Sequence, residues 1–232
     1  MSGLQDSASF ASGAWHAGGM RFPPLLLLIT GLVALASPRS GNAAPPPADL
    51  LHDLSGWRLV TEPAAELSAI CVPKPEGVLA VAGKPIGYLT TTTSFENFAL
   101  HVEWRWPGTP GNGGVLVHIA TGPKDRQWPE CFQMQLKHTR AGDILPMAGA
   151  TFAELPTPDA KQLHRQADSS EKPAGEWNAC DIVCRGDTIE CRVNGVVQNR
   201  ITRCRPAAGT IGFQLEGVAY ELRNIRVTPL AP

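Results

Sequence analysis

A sandwich of two antiparallel β-sheets is the fold class that this 232-residue sequence predicts. Three observations carry it. Apolar and polar residues alternate with period two through several short segments, the signature of half-buried strands. Gly, Asn and Asp cluster between those segments, as they do in hairpin turns. No segment carries a long apolar repeat of 3.6 residues, so the sequence offers no helical layer to cover a sheet.

From the N-terminus, Met20-Arg21-Phe22 precedes the apolar run Leu25 to Ala36. That run has about the length of a signal-peptide h-region and is too short to span a bilayer comfortably. Ala34-x-Ala36 and Gly41-x-Ala43 follow as cleavage signals. Residues 1–44 are therefore read as signal peptide and leader with a start at Met20, and 45–50 as a Pro-rich linker. This predicts a periplasmic or secreted protein that leaves the membrane on cleavage; an uncleaved anchor is the competing reading. Residues 51–232 suit one domain with a full core. A net charge of −1 gives no electrostatic reason to expect nucleic acid or an anionic membrane as partner. All six cysteines, Cys71, Cys131, Cys180, Cys184, Cys191 and Cys204, fall in this domain. An even count in an exported chain permits disulfides. No CxxC pair indicates zinc, and buried thiols are the first expectation for Cys180, Cys184 and Cys191, with a disulfide second.

The strands follow in order. Between 95 and 107, Phe98, Leu100, Val102, Trp104 and Trp106 alternate with His101, Glu103 and Arg105. After the Gly111-Asn112-Gly113-Gly114 turn, 113–121 sets Val115, Val117 and Ile119 against Leu116 and His118. Phe132, Met134 and Leu136 alternate with Gln133, Gln135 and Lys137 over 131–137. Residues 144–176 are rich in Pro, Ser and charge and read as one long loop of the kind that covers a site. Residues 177–199 form a hairpin across Gly186-Asp187, with Asn194-Gly195 as a further turn. Two last strands occupy 209–217 and 220–230.

Alternation collects polar residues onto sheet faces without saying which strands are neighbours. One face could carry His101, Glu103 and Arg105, His118, Gln133, Gln135 and Lys137, Gln214 and Glu216. Amides and carboxylates there supply paired donors and acceptors for a hydroxyl-rich ligand. Glu103, His118, His138, Asp143 and Glu216 are the candidates for acid–base work. Arg105, Asn112, Trp128, Gln133, Gln135, Lys137 and Gln214 are the candidates for holding substrate. Each has a plainer reading. The polar face can simply meet water, Glu103 can pair with Arg105, and His118 can be a core histidine. By parity Trp104 and Trp106 face the core, whereas Trp128 is free to stack on a sugar. Asp143, His138 and Glu130 are oxygen and nitrogen donors close in sequence, yet their spacing matches no standard metal site. No cofactor is indicated, a divalent metal stays open, and so does the oligomeric state.

The order of these motifs resembles the 3-keto-disaccharide hydrolase family, whose members are 3-keto-glucoside 1,2-lyases and 3-keto-2-hydroxy-glucal hydratases. The resemblance runs from about Leu51 to Leu230. It rests on "GYLTTTTSFENFALHVEWRW", "GNGGVLVHI", "WPECFQMQLKHTRAGD", "EWNACDIVCRGDTIECRVNGVVQN", "GTIGFQLEG" and "ELRNIRVTPL" in that order. It implies a concanavalin A-like jelly roll and an exported enzyme that cleaves 3-keto-glycosides by C2 proton abstraction, elimination and hydration. Asn112, Gly114, His118, Gln135, Ala141-Gly142-Asp143, Glu176-Trp177-Asn178, Asn194-Gly195, Gln214, Glu216 and Arg223-Asn224 match its pattern. Gly113 replaces a serine. Gln133 stands where relatives commonly carry a glutamate, and an amide cannot shuttle a proton. That departure motivates the alternative of a non-catalytic carbohydrate-binding module on the same fold.

Overall fold

Alternating side chains are what divide this chain into two layers. The computed structural model describes residues 47–51 and 53–231; the signal-peptide reading of 1–44 lies outside them. The strands are β1 (Ala48–Asp49), β2 (Trp57–Glu62), β3 (Cys71–Lys74), β4 (Val78–Val81), β5 (Ile86–Phe95), β6 (Phe98–Arg105), β7 (Gly114–Ile119) and β8 (Pro123–Asp125). They continue as β9 (Trp128–Pro129), β10 (Cys131–Gln135), β11 (Ile144–Met147), β12 (Asn178–Arg185), β13 (Thr188–Val193), β14 (Val196–Ile201), β15 (Gly209–Leu215) and β16 (Tyr220–Pro229). One antiparallel sheet runs β14-β13-β12-β6-β16-β4-β3, with β1 paired to β16. The other runs β11-β10-β7-β15-β5-β2, and β8 and β9 form a separate hairpin. A single helical turn, α1 (Leu67–Ile70), precedes β3.

The core is the facing interior of the two sheets. Leu100, Val102 and Trp104 come inward from β6, Ile182, Cys180 and Cys184 from β12, and Phe132, Met134, Val115, Val117 and Phe213 from the opposite layer. Burying these aromatic and branched side chains supplies the main driving force for closing the sandwich. The β12–β13 hairpin has the anticipated register, Cys184 opposite Ile189 across Gly186-Asp187. All six thiols are free and buried. Burial alone pushes Cys71 up to about 12, so none of this reads as a reactive thiolate.

The structure revises several expectations. Ala48–Asp49, assigned to the linker, pairs with Val227 and Arg226 and extends the first sheet. The segment 95–107 is not one strand, since Phe95 ends β5 and Phe98 begins β6. The loop assigned to 144–176 begins with β11, because Ile144 pairs with Met134 and Cys131 with Met147. In β5 the adjacent threonines Thr90 and Thr91 are both buried and both bond β15: Thr90 bonds Thr210 at 2.7 Å and the Thr91 hydroxyl accepts from Ile211 N at 3.1 Å.

His118 is the clearest revision. Parity places it with Leu116 on the outer face. Its backbone φ of 53° breaks the alternation, so the ring turns inward between Phe98 and Phe132, at centroid distances of 5.9 and 6.4 Å. Ile119 takes the outer position instead. Its ring nitrogens face the backbone of Glu96 and Pro206 without closing a well-formed hydrogen bond among the described residues. Burial lowers the His118 pKa, against the nearby carbonyls of Glu96 and Pro206. It is a core histidine, turned away from the outer face of the sheet.

Candidate functional site

The outer face of the six-stranded sheet is where polar side chains converge. Gln133 and Gln135 come from β10 and Gln214 from β15, with β7 between them. β7 contributes Gly114 at this level, and a Cβ there would lie 2.6 Å from Gln133 Cγ. The missing side chain lets the Gln133 amide lie flat across β7. Its Nε2 donates to Gln214 Oε1 at 3.0 Å and to Gln135 Oε1 at 3.2 Å. Gln135 Oε1 also accepts from the Lys137 backbone N at 3.0 Å. The three amides are 1%, 7% and 3% exposed, yet Gln133 Oε1 has no partner. A buried unpaired carbonyl is costly.

One residue pair further along β15, the amide row meets a carboxylate. Leu136 N and His138 N donate to the carbonyls of Gly113 and Gly111 at 2.9 and 3.0 Å, which zips the 111–113 turn against the end of β10. Asn112 is thereby held so that its Nδ2 donates to Glu216 Oε2 at 2.7 Å. Burial raises the Glu216 pKa above the usual carboxylate range, while Lys137 and Asn112 pull it back. A carboxyl whose pKa is raised by burial holds and passes on a proton more readily than a solvated glutamate.

The rest of this face is apolar. Tyr88, Leu116, Ile119 and Cys131 form a second buried cluster with Val60 and Met147 against it. The β8–β9 hairpin lies across that half, because Pro123, Arg126 and Gln127 share a cavity of about 250 Å³ with Val60, Thr61 and Glu62 of β2. Trp128 sits half-buried in that hairpin, at the end of β10 away from Gln135.

His138 and Asp143 flank the polar cluster but are engaged elsewhere. His138 Nδ1 pairs with Glu171 Oε1 at 3.0 Å, and Thr139 N donates to Glu171 Oε2 at 2.7 Å. In mirror fashion Asp143 Oδ2 pairs with His164 Nδ1 at 3.1 Å, and Asp143 Oδ1 accepts Arg165 N at 2.8 Å. Two buried carboxylates, one on each segment, thus clip residues 164–171 to the turn after β10. Glu171 and His164 lie in the segment read as one long covering loop, where no periodicity could have singled them out.

Glu103 and Arg105 do not join the site. β6 belongs to the eight-stranded sheet, so their outer face is on the opposite side of the sandwich from Gln133. Glu103 bonds Arg223 Nε at 2.7 Å and Asn224 Nδ2 at 2.6 Å, while His101 Nδ1 bonds Asp181 at 2.7 Å. Burial opposes ionisation of Glu103, but Asn224, Arg223 and His101 outweigh it and lower the pKa. Arg105 pairs with Glu221 at 2.6 Å. Its guanidinium and that of Arg223 lie over the Trp177 ring at 4.6 and 4.1 Å. These residues form an ion network on that opposite face. Among the described residues, no three His, Cys, Asp or Glu side chains converge as metal ligands; Glu130, the third donor considered, pairs with Lys124 at 2.9 Å.

Residues 50–228 match the family described as the 3-keto-alpha-glucoside-1,2-lyase-like domain. The chain belongs to that family. Membership gives it a carbohydrate-related function. No curated protein matches the chain. Among solved structures, it is similar to a candidate glycosyl hydrolase from Parabacteroides distasonis, with 18% identity, 77% of this chain and 91% of that one covered, and a TM-score of 0.57. A second candidate glycosyl hydrolase from the same organism shares 21% identity over 75% of this chain and 99% of that one, at a TM-score of 0.53. The carbohydrate-binding module CBM66 from Bacillus subtilis shares 10% identity over 75% of this chain and 95% of that one, also at 0.53. At such identities the likeness concerns the fold, a concanavalin A-like jelly roll.

Proposed function

We propose that the protein cleaves 3-keto-α-glucosides on the outer face of the six-stranded sheet, by elimination across C1–C2 followed by hydration. The observation that carries this reading is Glu216: a carboxyl with a raised pKa, held by Asn112 beside Lys137 and next to a row of buried amides. A C3 ketone acidifies the proton on C2. Glu216 takes that proton, and the C2 electron pair enters the carbonyl as an enolate, which Lys137 stabilises by charge. The enolate collapses, the C1–O bond breaks, and the aglycone oxygen leaves with the electron pair and accepts the proton back from Glu216. Water then adds oxygen to C1 and hydrogen to C2, which completes net hydrolysis. Gln133, Gln135, Gln214 and Asn112 hold the sugar hydroxyls. His138 and Asp143 brace the surrounding loops through Glu171 and His164.

Export belongs to the same proposal. Its support is the apolar run Leu25 to Ala36 and the small residues after it. The test is aglycone release from a 3-keto-α-glucoside and from the matching ordinary α-glucoside. Release from the keto sugar alone, abolished in Glu216→Gln, is expected; no turnover of any keto substrate would sink the reading. The second reading, a sugar-binding module, is favoured by Gln133, since the deepest part of the face is all amide. It predicts saturable binding with the sugar recovered unchanged, and turnover appearing only in Gln133→Glu.

A further inference from the structure

The outer face of the six-stranded sheet changes character along its strands' cross-registers, and that change bears on the substrate. Gln214 stands opposite Tyr88 on β5, and Tyr88 opposite Val60 on β2. One level on, Leu215 pairs with Gly87 and Gly87 with Thr61, so Glu62 lies at the level of Glu216. Two strand spacings separate β15 from β2, about 10 Å. That is the reach of one hexose and its glycosidic oxygen. At its far end is the cavity of about 250 Å³ between β2 and the β8–β9 hairpin. Val60 and Pro123 line it with Thr61, Glu62, Gln127 and Arg126, and the apolar cluster of Tyr88 and Leu116 continues from Val60.

We infer that this cavity is an aglycone subsite for a compact aryl group, so that the substrates are aryl 3-keto-glucosides rather than 3-keto-disaccharides. The inference rests on the reading of Glu216 and the amide row as the sugar site. Three features support it. The cavity, at about 250 Å³, is large enough for one substituted ring. The Val60 and Pro123 surfaces gain more from a ring than from a second sugar, whose hydroxyls would find no partner against them. Arg126, in the left-handed region at φ 54° at the hairpin tip, presents a guanidinium that can lie over an aromatic face. The hairpin also covers the apolar half of the face and leaves Glu216 half-buried at its open end, the order expected for a sugar entering behind its aglycone.

The test compares phenyl and methyl 3-keto-α-glucosides and a 3-keto-disaccharide as substrates of the full purified chain. Preference for the phenyl glycoside by about tenfold in kcat/KM, expressed in KM, is expected. Arg126→Ala and Val60→Thr should both erase it while the methyl glycoside is turned over at the original rate. Equal kcat/KM for phenyl and methyl, a preference for the disaccharide, or a phenyl preference that survives both variants overturns the inference and leaves the proposed activity standing. Binding of the same compounds to Glu216→Gln, followed by tryptophan fluorescence, separates the two. Selective, Arg126-dependent binding of the phenyl compound without turnover by the natural chain sinks the activity and upholds the subsite. Neither turnover nor selective binding overturns both.

Discussion

Glu216 and Lys137 set the pH behaviour of the site at the level of single residues. Burial raises the Glu216 pKa, and Lys137 counters it. The general base must be ionised, so kcat/KM should rise with pH through an apparent pKa above the ordinary glutamate value of about 4.3. Lys137→Met removes the charge that favours the carboxylate and should move this acid limb to still higher pH, with a fall in kcat as the enolate loses its counter-charge. An acid limb that stays put in that variant would show that another group is the base. His118 gives the complementary test. Its two ring nitrogens are buried with no well-formed hydrogen bond, which costs stability in the core. His118→Phe keeps a flat ring between Phe98 and Phe132 and removes both, so turnover should be unchanged and Tm equal or higher. A catalytic histidine would instead lose activity by orders of magnitude. His101 follows the linkage rule in the same way. Its hydrogen bond to Asp181 raises its folded pKa, against desolvation, with Glu103 adding to the effect. The stabilisation is therefore complete below the unfolded value of about 6.5 and fades as pH rises through the folded value.

At the scale of elements, register decides which residues cooperate. Gly114 of β7 is the clearest case, because the amide bridge from Gln133 to Gln214 passes over it. Gly114→Ala puts a methyl where Gln133 Cγ now lies, and the Gln133 side chain must turn away. Overpacking of this kind costs about 1–3 kcal/mol. Tm should drop by a few degrees while sugar binding weakens about tenfold, as expected for a lost bridge between buried partners. Unchanged binding would mean that the amide row is not the sugar floor. Much of this was legible in the sequence. Alternation put Gln133, Gln135 and Lys137 on one side of β10, and the Asn194-Gly195 and Gly186-Asp187 turns fell where hairpins form. What alternation cannot state is the partner strand. β6 and β10 have equally clean patterns, and only pairing over long sequence separation assigns them to different sheets. Nor does it survive a residue in the left-handed region, which is why His118 was misplaced and Ile119 with it. Glu171 and His164 were invisible for a third reason. They act through single contacts between irregular segments, which leave no periodic trace.

Across the whole molecule, the two layers separate two outer faces and enclose five of the six thiols between them, while Cys131 is buried in the cluster on the outer face of the six-stranded sheet. The separation predicts that Glu103→Gln, which breaks the network with Arg223, lowers stability by on the order of 1 kcal/mol and leaves turnover intact. The enclosure bears on the proposed export. Six free cysteines in a chain destined for an oxidising compartment invite disulfide formation, yet the register withholds it. The two thiols that come nearest, Cys180 and Cys191, have Sγ atoms 4.0 Å apart. Cys180 stands opposite Val193, and Cys191 opposite Ile182, so the two are diagonal neighbours on adjacent strands. Diagonal positions lie about 7–8 Å apart, beyond the separation a disulfide bridges without moving the backbone. Burial also suppresses the thiolate: Cys204, like Cys71, is pushed up to about 12, and the thiolate is the species that exchanges. The chain recovered from an oxidising compartment should therefore carry six thiols. Ellman's reagent should find none in the native protein and all six after denaturation, and reductant should leave Tm unchanged. A mass lower by 2 Da, or a Tm that falls on reduction, would show that the core opens far enough in the cell to bridge a pair, and that the sandwich is less tightly closed than its packing indicates.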